Sequence, residues 1–183
     1  MYKFKTKPYE HQEKIFADSW CRKYFGLFME MGTGKSKVAI DTMGRLFLED
    51  KIKACLILAP KGVFDNWVKN EIPRHLPSDI KVNVVRWQSY HSKTYMTSLE
   101  NLILPYLQEK NTLQVFVMNV EALSTLHAMG YAKVFLNKNP DSMMIVDEST
   151  TIKNRSAKRT KNIIELGRLA AYRRILTGSP VTK

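Results

Sequence analysis

The sequence predicts a single α/β domain in which a mostly parallel sheet is sandwiched between helices. Short apolar runs alternate along the chain with longer segments of helical periodicity, and this order is typical of a doubly wound fold. Several of the apolar runs are continuous rather than alternating, including 55–59, 115–118 and 143–146. Continuous runs are expected for strands that helices cover on both faces. A length of 183 residues fits one domain of this kind.

Six apolar segments are predicted strands, in chain order Tyr24–Met29, Lys53–Ala59, Lys81–Trp87, Leu113–Asn119, Ser142–Val146 and Arg173–Leu176. Seven segments have helical spacing of apolar residues or begin with a helix-starting signal such as proline. These predicted helices are Pro8–Lys23, Ser36–Leu48, Val63–Glu71, Thr97–Leu107, Val120–Ala128, Tyr131–Asn137 and Ala157–Leu169. Ligands of such folds bind at the carboxyl ends of the strands, so residues that follow strands are the first candidates for function.

The predicted turn between the first strand and the second helix reads FMEMGTGKS over residues 28–36. Strand, glycine-rich turn and helix in this order are the context of a phosphate-binding loop. Glycine lets the backbone N–H groups curl toward an anion at the helix N-terminus. Lys35 is predicted to contact the β- and γ-phosphates of a nucleotide, and Ser36 to hold Mg²⁺. The usual pattern G-x-x-x-x-G-K-[ST] begins with glycine, whereas Met29 stands at that position here. The predicted nucleotide-binding residues of the loop are Gly32, Thr33, Gly34, Lys35 and Ser36.

The apolar segment Ser142–Val146 runs directly into two carboxylates, Asp147 and Glu148. In a protein with a phosphate-binding loop, an acid at the end of such a strand meets the Mg²⁺ of the bound nucleotide, so Asp147 is a predicted metal ligand together with Ser36. Glu148 is predicted to polarise the water that attacks the γ-phosphate. Lys35, Asp147 and Glu148 are therefore the candidate catalytic residues, and ATP with Mg²⁺ is the predicted ligand.

Two further polar sites are weaker candidates. Gln12 lies near the start of the first predicted helix, and a carboxamide both donates to and accepts from one edge of adenine; a glutamine on a helix face is also commonly only solvated. The last predicted strand runs into the hydroxyl groups of Thr177 and Ser179. These could contact Asp147 or Glu148 and report the state of the nucleotide, although a Gly-Ser-Pro turn explains the same residues.

The charge predicts a polyanionic partner. Lys and Arg total 29 against 17 Asp and Glu, a net charge of +12, and residues 151–183 contain nine basic residues and one acidic residue. A basic surface of this strength is typical of nucleic-acid binding; the alternative is a solvated surface that serves only solubility.

Other classes of protein receive no support from the composition. Two cysteines, Cys21 and Cys55, lie far apart, so neither a disulfide framework nor a zinc site is predicted. The chain has no apolar run of membrane-spanning length and no secretion signal at its start. We therefore expect a cytoplasmic protein without a membrane partner.

The motifs together resemble a known family. GTGKS at 32–36, Asp147-Glu148 and TGSP at 177–180 resemble motifs I, II and III of superfamily 2 helicases. The Swi/Snf-type DNA translocase branch is more similar still, because EMGTGK at 30–35, LAP at 58–60 with Trp67 downstream, NVEAL at 119–123 and DESTTIKN at 147–154 follow its order. The resemblance covers nearly the whole chain, and a small phage-type member would fit it.

The resemblance implies that 1–183 is the N-terminal, ATP-binding RecA-like lobe of a helicase or translocase that acts on double-stranded DNA. It implies coupling of hydrolysis to DNA through Thr150, Thr177 and Ser179. The implied contacts to the DNA backbone are Lys61, Lys153, Asn154, Arg155, Lys158, Arg159 and Lys161. The family's motif II has histidine where Thr150 stands and arginine where Thr151 stands, which puts the coupling through that motif in doubt.

Members of this family hold ATP between two RecA-like lobes. The resemblance therefore predicts a second lobe beyond these residues, carrying motifs IV to VI and an arginine finger, and an isolated first lobe that is nearly inactive. Other functions stay open on the sequence alone: the motor lobe of a strand-unwinding restriction or repair helicase, a DNA-binding module without ATPase activity, and a small-molecule kinase. Intact Lys35, Asp147 and Glu148 argue against the inactive module, and a kinase would lack the additional motifs.

Overall fold

The computed structural model describes residues 2–148 and 157–178. Its strands are β1 (Tyr24–Phe28), β2 (Ala54–Ala59), β3 (Lys81–Arg86), β4 (Thr112–Asn119), β5 (Ser142–Val146) and β6 (Tyr172–Thr177). Each predicted strand is present, and no strand end differs by more than one residue from its prediction. The agreement follows from continuous apolar runs, which leave little choice of register or length in a sheet that is covered on both faces.

The strands form one sheet in the order β1-β6-β5-β2-β4-β3. Every pairing in the described part of the chain is parallel, which confirms the predicted α/β class. Parallel pairing places the carboxyl ends of all the strands at one edge of the sheet. The segments that follow β1, β5 and β6 lie on three neighbouring strands and therefore meet there.

The helices are α1 (Glu10–Ser19), α2 (Lys35–Leu48), α3 (Phe64–Asn66), α4 (Ile72–His75), α5 (Lys93–Ile103), α6 (Leu126–Lys138) and α7 (Lys158–Leu169). A π-helical turn, Trp67–Glu71, joins α3 to α4. Short 3₁₀ segments follow α5 and β4, at Pro105–Leu107 and Val120–Ser124. None of the helices in 2–148 and 157–178 is both long and apolar enough to cross a membrane.

Several helix predictions were wrong in their limits, and capping side chains account for those of α5 and α6. The helix predicted from Thr97 begins at Lys93, where the Ser92 side chain accepts a hydrogen bond from the Tyr95 N–H at 3.2 Å. The helices predicted over 120–128 and 131–137 are a 3₁₀ turn followed by one helix, α6, which Thr125 caps. The first predicted helix is shorter than expected at both ends.

Two apolar cores lie on opposite faces of the sheet. α1, α2 and the 64–75 segment cover one face around Leu27, Ile40 and Trp67. α5, α6 and α7 cover the other face around Phe116 and Phe135. Both sides of the central strands are thus sealed, and the polar loops at the carboxyl edge remain for function.

Candidate nucleotide-binding site

The loop between β1 and α2 has the backbone that the glycine pattern predicted. Gly32 has φ of 80° and Gly34 has φ of 85°, the left-handed region that glycine adopts at little cost. Gly34 is also the N-cap residue of α2. The loop therefore curls around the N-terminus of α2, where free N–H groups and the helix dipole favour an anion.

The side chain of Lys35 lies across this loop. Its Nζ donates to the carbonyl oxygens of Met29 and Glu30, both at 3.0 Å. Ser36 follows in the first turn of α2 and borders, with Lys35, a cleft of about 450 Å³. Glu71 and Arg74 line the same cleft from the 64–75 segment. The volume lies within the range of small-molecule sites.

Gln12 ties the start of α1 to the glycine loop. It is only 4% exposed. Its Oε1 accepts from the Tyr9 N–H at 3.0 Å, and its Nε2 donates to the Thr33 carbonyl at 2.9 Å. A β-carbon at Gly34 would collide with the same Nε2, so the glycine is required by this contact as well as by its φ. Gln12 thus lies at the cleft as the sequence suggested, and its role in reading adenine stays a prediction.

Asp147 is held at the end of β5 by three hydrogen bonds. Its N–H donates to the Leu58 carbonyl at 2.8 Å, its Oδ2 accepts from the Trp67 indole at 2.9 Å and its Oδ1 from the Glu148 N–H at 2.9 Å. The residue is 8% exposed. Burial raises the pKa of its carboxyl, while the two side-chain hydrogen bonds and the charge of Lys35 act in the opposite direction.

Glu148 has a φ of 49°, which is uncommon for a residue with a β-carbon and costs free energy. Such a conformation persists only where the surrounding structure holds it, and residues of this kind cluster at functional sites. The positive φ turns the chain sharply directly after Asp147. The two carboxylates therefore follow the strand in different environments, one buried and the other half-buried.

The end of β6 contacts the glycine loop. The Met29 N–H donates to the Thr177 carbonyl at 3.3 Å, and a β-carbon at Gly178 would lie 3.8 Å from the Lys35 Nζ. Thr177 is buried. The structure thus brings this predicted coupling residue against the loop, whereas Thr150 and Ser179 lie outside the described residues.

The predicted DNA-binding residues that the structure describes lie at the same edge of the sheet. α7 connects two parallel strands, so it starts at their carboxyl ends, with Lys158, Arg159 and Lys161 near its start. Its first turn contains no acidic residue, although a helix N-terminus disfavours cations. Lys61 follows β2, and its N–H donates to Glu121 Oε2 at 3.2 Å. The other three predicted residues, Lys153, Asn154 and Arg155, lie outside the described residues.

Two contacts of this site have no signal in the sequence. Trp67 and Asp147 are 80 positions apart in the chain, and no local pattern links them. His11 Nε2 lies 3.1 Å from the Thr33 carbonyl oxygen. A histidine beside a glutamine on a helix gives no signal of this contact until the fold brings the loop to it.

The residues present fit ATP with Mg²⁺. The Ser36 hydroxyl and the Asp147 carboxylate are the hard oxygen donors that Mg²⁺ takes. The glycine loop, the start of α2 and Lys35 provide N–H donors and a positive charge for phosphates. Among the described residues, the ammonium group of Lys35 donates to two carbonyl oxygens of the loop, and phosphate oxygens can accept from it in their place.

A sequence profile of the SNF2-related domain matches residues 15–183. The chain belongs to the SNF2-related domain family. The Swi/Snf-type resemblance is therefore confirmed at the level of the family. The match includes the glycine loop, Asp147-Glu148 and the end of β6, and begins just after Gln12.

Several known proteins are similar to this SNF2-related domain. The helicase-like transcription factor of Oryctolagus cuniculus is 25% identical over 144 residues, which are 75% of this chain and 12% of that protein. The SWI/SNF-related matrix-associated actin-dependent regulator of chromatin subfamily A containing DEAD/H box 1 of Xenopus tropicalis is 29% identical over 152 residues, 83% of this chain and 14% of that protein. The domain thus spans a small part of these relatives.

Two solved structures share the fold. The SWI2/SNF2 ATPase core of Sulfolobus solfataricus, solved in complex with double-stranded DNA, superposes with a TM-score of 0.70 at 19% identity and covers 98% of this chain and 33% of its own. The UvsW helicase from bacteriophage T4 superposes with a TM-score of 0.64 at 16% identity. The superposition covers 95% of this chain and 53% of the helicase chain. The predicted RecA-like architecture is confirmed.

Proposed function

We propose that residues 1–183 form the N-terminal ATP-binding lobe of an ATP-dependent double-stranded DNA translocase, which couples ATP hydrolysis to movement on DNA or to its remodelling. The observation that supports this most is the convergence of the glycine loop, Asp147 and the end of β6 at one edge of the sheet, where the Met29 N–H donates to the Thr177 carbonyl and the charge of Lys35 acts on Asp147. Family membership supports ATP hydrolysis in general. A second RecA-like lobe and a cytoplasmic location belong to the same proposal.

Each residue has a defined part in this reaction. The loop N–H groups and Lys35 bind the phosphates, and Gln12 reads the adenine. Ser36 and Asp147 hold Mg²⁺, which when bound neutralises charge on the phosphates. Glu148 accepts a proton from the attacking water as general base. Thr177, buried beside the loop, transmits the state of the site to the DNA-binding surface at the same edge of the sheet.

Replacing Lys35 with alanine is expected to abolish measurable binding of Mg·ATP. The variant loses the ammonium group that donates to the Met29 and Glu30 carbonyls across the glycine loop, and no other change in the loop is made. Titration calorimetry of the 183-residue chain with ATP and Mg²⁺ measures the effect. Lys51→Ala, which removes an exposed lysine in the turn before β2, is the matched control. Equal affinities of wild type and Lys35→Ala would show that the cleft is not a phosphate site.

Binding to duplex DNA is expected to be insensitive to sequence and steeply dependent on salt, because lysine and arginine at the start of α7 contact phosphates rather than bases. Replacing Lys158, Arg159 and Lys161 with glutamine should flatten the plot of log affinity against log salt by about 0.9 per lost phosphate contact. Fluorescence anisotropy with a labelled duplex at several salt concentrations measures the slope.

A control of equal charge separates contact from net charge in that experiment. Lys51, Lys110 and Lys138 are exposed and lie near the amino ends of β2, β4 and β5, at the opposite edge of the sheet. Their triple replacement by glutamine should leave the slope close to that of wild type. If log affinity falls equally steeply with log salt for the α7 variant and for wild type, the DNA contacts lie elsewhere, with Lys61 as the candidate.

A further inference from the structure

Among the hydrogen bonds of the described residues, one joins the 64–75 segment to the predicted metal-binding carboxylate. The indole N–H of Trp67 donates it to Asp147. Trp67 is fully buried and Asp147 is 8% exposed, so little water competes for this bond. An indole N–H can only donate, and it therefore favours an Asp147 oxygen that accepts. With Glu148 N–H on the other oxygen, the carboxylate is fixed about its last torsion.

Residues on both sides of Trp67 in its segment make contacts with other parts of the chain. Asp65, two residues before Trp67, forms an ion pair with Arg86 of β3. On the other side, the Lys5 Nζ donates to the Pro73 carbonyl at 2.7 Å, and Thr6 Oγ1 lies 2.7 Å from His75 Nδ1. These contacts tie the segment on either side of Trp67 to β3 and to the N-terminal residues.

The backbone at Trp67 is also unusual. The Ile72 N–H donates to the Trp67 carbonyl, five residues earlier, which defines the π-helical turn. Pro73 follows at once and has no N–H to continue an α-helical ladder. Single π-turns within helices occur frequently at functional sites, because the extra residue turns a side chain to a different direction. Here the side chain at the start of that turn is the one that bonds to Asp147.

We propose that Trp67 is the positioning residue of the metal-binding carboxylate: its indole N–H orients Asp147 and thereby sets the affinity of the site for Mg²⁺ in the Mg·nucleotide complex. This inference rests on the proposed function. Donors that orient a ligating carboxylate contribute to metal affinity without touching the metal. The nucleotide without its metal makes no contact with Asp147 in this proposal, so its affinity is expected not to depend on the indole.

The test compares ADP binding to the 183-residue chain in Mg²⁺ and in EDTA by titration calorimetry. Trp67→Phe removes the N–H and keeps an aromatic ring. We expect it to weaken binding of ADP in Mg²⁺ by about 10–100-fold and to leave binding in EDTA unchanged. Trp20→Phe is the matched control, since Trp20 packs under Arg45 away from the cleft, and it should change neither affinity.

A second replacement keeps the test decisive if phenylalanine destabilises the fold. Benzothienylalanine at position 67 has a sulfur atom where the indole has its N–H, and it preserves the shape of the buried ring system. The same selective loss in Mg²⁺ is expected. An equal loss in Mg²⁺ and in EDTA, or no loss in either, would contradict the positioning role. Failure of the wild-type chain to bind ADP in both conditions would overturn the proposed function, and this inference with it.

Discussion

Joining a second RecA-like lobe to residues 1–183 is expected to raise the rate of ATP hydrolysis by about 10³–10⁵-fold. In the transition state, charge spreads over the oxygens of the transferring phosphoryl group. Lys35, the loop N–H groups and the Mg²⁺ held by Asp147 cover one side of that group in our proposal. The family resemblance assigns the arginine that covers the other side to the second lobe, and an arginine in this role contributes a factor of this size.

Steady-state phosphate release measures this effect, for residues 1–183 and for the same chain continued through its second lobe, each with and without duplex DNA. Only the two-lobed protein is expected to respond to DNA, because stimulation requires two lobes that close on each other. Replacing the finger arginine by alanine in the two-lobed protein should return the rate to that of the single lobe. Rapid, DNA-stimulated turnover by 1–183 alone would mean that this chain is a complete enzyme.

Replacing Glu148 with glutamine in the two-lobed protein is expected to reduce ATP turnover by about 10²–10⁴-fold, the range for loss of a general base. Glutamine keeps the size of the side chain but cannot take a proton from the attacking water. The affinity for ATP should be retained, since Lys35, Ser36 and Asp147 are unchanged. Single-turnover hydrolysis and calorimetry on the same preparation separate the two quantities.

Glu13→Gln is a matched control for that substitution, because Glu13 is an exposed acid on α1. It should hydrolyse ATP at the wild-type rate. A Glu148→Gln enzyme as fast as wild type would assign the general base to another group. A variant that lost ATP binding as well would instead place Glu148 among the binding residues.

The sequence predicted the fold because the fold depends on local patterns, and the chemistry of the site, which was inferred from the same kind of pattern, stays a prediction. Continuous apolar runs specify buried parallel strands, and the acids at the end of β5 follow such a run directly. The glycine loop is likewise one continuous segment. The limits of α5 and α6 were less predictable, because single side chains, Ser92 and Thr125, decide where those helices begin.

The contact of Trp67 with Asp147 could not be predicted in the same way. It depends on the anchored path of the 64–75 segment and on a π-turn beside Pro73, neither of which leaves a periodic signal. The hydrogen-bond partner of Gln12 in the glycine loop could not be predicted either, because it lies 21 positions away in the chain. The sequence made Gln12 a candidate for reading adenine, but only the folded chain brings its carboxamide to the Thr33 carbonyl.

The hydrogen bond from Gln12 to the glycine loop limits where a shortened form of this domain can begin. The family match begins at residue 15, so a shortened chain designed on that boundary would lose Gln12. It would also lose Tyr2, whose buried hydroxyl donates to Asp41 of α2 at 3.3 Å. Residues 2–12 thus contribute contacts to α2 and to the glycine loop, and an expression boundary should be placed ahead of them.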